Sequence, residues 1–148
     1  MHEYGARRTW IRSLALANAE HLQKLWAACE FTVAFEFVFG PETGLVLVRV
    51  ALPAVKQPMI LGDMTLTRST IRLAVGQLGF GFAAGHAHEH ATTAAICDAL
   101  MQTTEYGPRV RTGVIEPLER YEASRREVNA AGVAATTMDA RNTSVWNT

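Results

Sequence analysis

Two hydrophobic periods divide this chain, a helical one at each end and a two-residue one in the middle. Trp10, Leu14 and Ala17 fall at i, i+4 and i+7, with Ile11 beside them, which predicts a helix over 7–17. Asn18 can end that helix or cap the next, and a second helix over about 19–29 puts Leu22, Leu25, Trp26 and Cys29 on one face. At Phe31 the period becomes two. Phe31, Val33, Phe35, Phe37 and Phe39 alternate strictly, predicting a strand over 31–39. Pro41-Glu42-Thr43-Gly44 reads as a turn, and 45–51 as a second strand, together a hairpin. Residues 53–58, with two prolines, read as a loop.

A long strand over about 59–74 follows, and its alternation slips twice. Met59 and Leu61 share one face. After Gly62-Asp63 the apolar positions are Met64 and Leu66, and after Arg68-Ser69-Thr70 they are Ile71, Leu73 and Val75. Each slip would turn later side chains to the opposite face, so two β-bulges are expected, with Asp63 and Arg68 beside them. A turn at Gly76-Gln77 leads to a strand over 78–84. Helical periodicity returns over 86–106, with Ile96, Cys97, Leu100 and Met101 inward, and Gly107-Pro108 stops it. A last helix from near Pro117 to about Ala131 has Leu118, Tyr121, Arg125 and Val128 at its inward positions. The expected fold is α+β: two N-terminal helices, a four-stranded antiparallel meander with bulges, and two C-terminal helices. It forms one domain over 1–148, frayed over 139–148.

Composition adds a bias toward association. The chain has 148 residues, 49% of them hydrophobic, and its 14 basic residues balance 14 acidic ones. A domain of this size buries roughly two thirds of its unfolded surface and needs no disulfide or metal to fold. A neutral chain has no long-range field to gather nucleic acid or an anionic membrane, so neither is expected as a partner. Balanced charge also does little to keep molecules apart. Cys29 and Cys97 read as buried helix thiols in a reducing compartment. The N-terminal helix is amphipathic rather than a signal peptide, and no apolar run approaches the ~20 residues of a membrane span. A cytoplasmic location is expected.

Three motifs suggest chemistry, and each has an ordinary structural reading. His86-Ala87-His88-Glu89-His90 contains H-x-x-E-H, and on a helix His86 and His90 could share one metal. Against this, His86 directly follows Gly85 and no third ligand has a recognisable spacing; the run then reads as a solvated first helical turn. Gly79-Phe80-Gly81-Phe82-Ala83-Ala84-Gly85 looks like a phosphate loop, yet a dinucleotide fingerprint belongs after the first strand of a parallel βαβ unit. Within a meander it reads as a strand whose glycines admit another backbone. Arg109, Arg111, Arg120, Arg125 and Arg126 could pair with phosphates, but Glu116, Glu119, Glu122 and Glu127 balance them as on a solvated helix face. No serine or cysteine nucleophile arrangement is legible, and Cys97 on an apolar helix face is inert.

Taken together, the motifs resemble one family. Gly62-Asp63-Met64-Thr65-Leu66-Thr67-Arg68, Ile71-Arg72-Leu73, Gly79-Phe80 and Gly85 are similar to the PhnG family of the bacterial phosphonate carbon–phosphorus lyase system. So are Glu42-Thr43-Gly44-Leu45-Val46, His90-Ala91 and Asp98-Ala99-Leu100-Met101-Gln102. Ser124-Arg125, Glu127-Val128-Asn129-Ala130, Val133 and Thr137-Met138 fit as well. The likeness runs from Trp10 to Met138; the H-A-H-E run departs from the family pattern. The resemblance implies a subunit acting with PhnI, PhnH and PhnL to make α-D-ribose 1-methylphosphonate 5-triphosphate, a phosphonate oxygen displacing adenine from C1′ of ATP. PhnI is implied as the catalyst, in a hetero-oligomer that also contains PhnJ, whose iron–sulfur cluster serves the later carbon–phosphorus cleavage. The two cysteines here cannot ligate such a cluster alone.

The main expectation is an accessory subunit that binds no cofactor alone, ATP being a substrate of the complex. No residue is assigned as catalytic. Asp63, Thr67, Arg68, Arg72, Arg125 and Asn129 are the structural or partner-contact candidates; an inward Arg125 would make sense against a partner. In a rival reading, Arg68, Arg72 or the C-terminal arginines hold the triphosphate at a shared active site. A third is a free-standing metal hydrolase built on His86 and His90. The isolated chain is expected to expose an apolar patch above the ~400 Å² normal for a monomer.

Overall fold

A computed structural model describes residues 2–50, 57 and 59–128. Helix α1 (His2–Leu16) and helix α2 (Ala19–Cys29) are joined by Asn18, whose side chain accepts a hydrogen bond from the His21 N–H at 3.1 Å. That is the N-cap its short amide predicts. Strands β1 (Phe35–Val50), β2 (Met59–Leu73) and β3 (Leu78–Ala84) form one antiparallel sheet in the order β1-β2-β3. Helix α3 (His88–Met101) follows, then a final helix. This last helix opens as α4 (Gly107–Val110), passes through a π-helical turn (Arg111–Ile115), and remains helical over 116–128.

The α+β class and the antiparallel connections are as expected, but the sheet has three strands, not four. Pro41-Glu42-Thr43-Gly44 does not reverse the chain. Glu42 pairs with Arg68, Thr43 with Thr67 and Gly44 with Leu66, so β1 runs straight through the segment. Among the described glycines, Gly62, Gly76 and Gly85 have positive φ and Gly44 does not. Proline and glycine mark a bulge as readily as a turn. Pro41 is tolerated because β1 is an edge strand, where a missing N–H can cost no ladder bond. At its other end β1 begins only at Phe35. Phe31 and Val33 keep the alternation but pack against the core from the connection that follows α2.

The two alternation slips have different origins. The first is a bulge: Val48 pairs with Gly62 and Arg49 with Ile60, leaving Leu61 extra, and Gly62 takes a φ of 142°. The second is not a bulge in β2. That strand pairs without interruption from Leu66 to Arg72 with Ala84 to Leu78, and Thr67, Ser69, Ile71 and Leu73 are buried in strict alternation. The hydrophobic pattern slipped because two polar residues, Thr67 and Ser69, occupy core-facing positions. The irregularities opposite them lie in β1, between Phe37 and Phe39 and between Phe39 and Glu42.

Helix α3 is the centre of the molecule. From His90 to Leu100 all of its residues except Thr92 are buried. One side packs on β2 and β3; the other meets α1, α2 and α4. Gly79 and Gly81 make this possible, because a Cβ on Gly81 would overlap the Ala91 carbonyl and one on Gly79 the Ala95 carbonyl. The glycine-bearing strand is thus a close-packing surface for the alanines of α3. Leu14, Leu22, Ile71 and Leu100 are fully buried around the helix, each contributing roughly 1.5–3 kcal/mol.

The last helix begins at Gly107 rather than near Pro117. Its inward positions are Val110, Val114, Ile115 and Leu118. Tyr121 and Val128 are exposed, and so is Arg125, contrary to the inward position expected for it. The π turn shifts the helical phase by one residue, and beyond Leu118 the helix leaves the core. Ala51, most of the 53–58 loop, the helix end near Ala131 and the tail over 139–148 lie outside the described residues.

Candidate functional site

Two polar clusters hold the structure together, one on each side of α3. The first surrounds Asp98, which is 0% exposed at the junction of α1, β3 and α3. Its Oδ1 accepts from Trp10 Nε1 at 2.8 Å and Arg7 Nε at 3.2 Å; its Oδ2 accepts from Arg7 Nη2 at 2.9 Å and the Phe80 N–H at 2.9 Å. All four lone-pair directions are used, as a buried carboxylate requires. A carboxylate so occupied positions three elements and has no capacity left to act as a base. Arg7 also lies 5.3 Å from the Phe80 ring centroid, and its Nη2 donates to the Leu78 carbonyl at 3.4 Å. Gln102 Nε2 reaches the same carbonyl at 2.7 Å.

The second cluster surrounds Thr67, fully buried on β2. Its hydroxyl donates to the Gly85 carbonyl at 2.6 Å and accepts the Ala87 N–H at 3.0 Å. Thr43 Oγ1 lies 2.9 Å from it and 3.2 Å from His88 Nε2. Since Thr67 has spent its only proton on Gly85, Thr43 donates to Thr67 and His88 donates to Thr43. This proton order opposes a nucleophile–base reading of Thr43 and His88, which would need the Thr43 proton directed at the imidazole. The cluster is a clasp on the β3-to-α3 corner.

The remaining candidates are spread along the sheet. Arg68 and Arg72 are exposed on its open face. Arg68 lies 3.6 Å from Glu42 and 4.9 Å from the Phe39 ring centroid; Arg72 lies 3.3 Å from Glu36. In register with them stand Phe39, Phe80, Phe82, Leu66 and Leu78, and Phe39 and Phe80 are exposed. Asp63 is exposed opposite Leu47, well along β2 from Arg68. Arg125 borders a small cleft with Ser13, Leu16 and Tyr121, and Asn129 lies outside the described residues. The structure therefore joins Thr67 to the core and Arg68 and Arg72 to one face, without gathering the candidates into a pocket.

His86 and His90 do not share a helical face. Helix α3 starts at His88, so His86 precedes it and stacks on His88 with centroids 4.4 Å apart. His90 is buried, with Nε2 2.8 Å from the Leu14 carbonyl. Among the described residues, no three His, Cys, Asp or Glu side chains are grouped to hold a metal. Cys97 is buried and Cys29 half-buried, both as free thiols; burial raises the pKa of each, which favours the neutral, unreactive form. No described helix is long and apolar enough to cross a membrane.

A cleft of 660 Å³ lies between α1 and the last helix, lined by Arg8, Arg12 and Arg126 and by Glu119 and Glu122. The sequence reading missed both this cleft and the Asp98 cluster. A signal for Asp98 existed: it is the one acidic residue inside an otherwise apolar stretch of helix, with a buried fate that only pairing could permit.

Comparison with known proteins adds what geometry cannot. The family described as phosphonate metabolism protein PhnG matches residues 5–141. The alpha-D-ribose 1-methylphosphonate 5-triphosphate synthase subunit PhnG of Rhizobium meliloti (strain 1021) is 36% identical over 133 residues, covering 90% of this chain and 85% of that protein.

Proposed function

The chain belongs to the PhnG family, and from that premise we propose that it is an accessory subunit of a ribose 1-methylphosphonate 5-triphosphate synthase in phosphonate metabolism. In this reading the complex joins a phosphonate to C1′ of ATP and releases adenine. Its other members are PhnI, PhnH and PhnJ-like chains, with PhnL for the synthase step. This chain binds no cofactor alone and contributes shape and contacts rather than reacting groups.

The observation that carries the proposal, beside family membership, is the number of apolar side chains left exposed along β1. Phe37, Val38, Phe39, Leu45 and Leu47 are each close to half exposed or more. Large apolar side chains exposed in such number along one strand mark contact with another protein. The polar clusters point the same way, since Asp98 and Thr67 have their hydrogen-bonding capacity committed to the fold.

The rival assignment, arginines holding the triphosphate at a shared site, has one observation in its favour: the cleft that brings Arg8 and Arg12 beside Arg126. Arginine forks suit phosphate, though Glu122 already engages Arg126 at 2.7 Å. The test is reconstitution with ATP and methylphosphonate, with and without this chain, followed by Arg68→Ala/Arg72→Ala and Arg8→Ala/Arg12→Ala pairs. Lost turnover with intact assembly identifies shared catalysis. Lost assembly identifies the accessory role.

A further inference from the structure

The two edges of the sheet differ. Near β3 the outward Leu78 carbonyl and Phe80 N–H are taken by Arg7, Gln102 and Asp98, and α1 packs along the strand. On the opposite side, β1 runs 16 residues, roughly 50 Å at strand rise, as an edge strand. Every second residue of such a strand turns its N–H and C=O away from its neighbour. Among the described residues, no hydrogen bond reaches these outward groups between Phe35 and Val50. Past Leu66, apart from the Gly85 N–H that the Thr65 carbonyl accepts, β1 and β2 pair only with each other among the described residues, so the segment from Leu45 to Arg49 belongs to a two-stranded arm. Leu45 is 72% and Leu47 55% exposed there. An isolated two-stranded ribbon is marginal in water.

We propose that the unpaired edge of β1 along Leu45–Arg49 is a strand-addition site, taking an extended strand with alternating apolar residues from a different subunit of the synthase. This rests on the accessory-subunit reading and specifies how that subunit is held. The complement of a row of unpaired amides and carbonyls is another strand, and the apolar side chains beside the edge select apolar ones. Arg49 is exposed and, among the described residues, forms no ion pair, so a carboxylate on the incoming strand would face it. A second copy of β1 fits less well. Two-fold pairing centred on Leu47 sets each Arg49 opposite Leu45 of the other copy and leaves both cations without a carboxylate. A foreign strand can pair along Leu45–Arg49 and place a carboxylate opposite Arg49.

Hydrogen exchange on the full chain, free and assembled with the other synthase subunits, tests this. Outward amides between Leu45 and Arg49 should exchange at least about tenfold more slowly in the complex than in the free chain at any concentration. Leu45→Lys/Leu47→Lys, at positions already exposed, should leave the thermal transition of the free chain in place and weaken assembly at least about tenfold. Protection that appears in the free chain as its concentration rises would identify a second copy and overturn the proposal. A complex that forms with these amides still exchanging freely overturns it while sparing the accessory-subunit reading. Failure of the wild-type chain to enter any complex sinks both.

Discussion

At β3 the outward Leu78 carbonyl and Phe80 N–H are met by side chains, whereas among the described residues no hydrogen bond reaches the outward groups of β1, although the two strands share one neighbour. The β3 side has a buried carboxylate, an arginine and a glutamine aimed at Leu78 and Phe80, and glycines that let α3 approach. The β1 side has phenylalanines, valines and leucines left in solvent. Exposed strand edges recruit other strands unless they are blocked. One edge of this sheet is held at Leu78 and Phe80 by groups of the same chain, and the other has no partner among the described residues. Stability and association are thus assigned to opposite ends of a three-stranded sheet.

The sharpest way to break this division is to remove the seal. Asp98→Ala would leave Arg7, Trp10 and the Phe80 N–H without their acceptor, and should cost ~3–5 kcal/mol in denaturant unfolding. A loss below 1 kcal/mol would mean that the carboxylate is not what closes β3. Gly81→Ala forces β3 away from the Ala91 carbonyl and should cost ~1–3 kcal/mol by the same measurement. Thr67→Val keeps the shape but removes the clasp, again at ~1–3 kcal/mol. Ser69→Ala, two residues away, should be neutral or stabilising, because its buried Oγ has no partner among the described residues. Equal losses at the two positions would refute the clasp.

The smallest effect on folding is expected on the open face. Arg68→Ala/Arg72→Ala removes two exposed ion pairs and should change stability by less than about 0.5 kcal/mol, read as a nearly unmoved thermal transition. A large loss of stability would place these arginines on the sealed side of the comparison. An unchanged transition together with altered assembly or turnover would place them on the associating side.

Much of this division was legible in the chain. The helical period around Leu14 and Leu22 located α1 and α2. Asn18 announced a cap, Gly79 and Gly81 announced close backbone approach, and the motifs from Gly62 to Met138 pointed to the family. Other features were hidden because they depend on residues distant in sequence. Arg125 looked inward from periodicity alone, yet the helix has already left the core where it stands. Thr67 and Ser69 looked like a slip in phase, because a pattern of apolar residues cannot register a polar side chain whose partners come from Gly85 and Ala87.

The sequence by itself determined the period of each element, the alanine and glycine surfaces that let α3 meet β3, and membership in the PhnG family. Only the tertiary structure decided that Pro41–Gly44 lies within a strand. A proline and a glycine permit either a turn or a bulge, and the choice rests on whether Arg68, Thr67 and Leu66 stand opposite. It also decided that Asp98 is a buried anchor, because a carboxylate survives burial only where Arg7, Trp10 and Phe80, far from it along the chain, converge on its two oxygens.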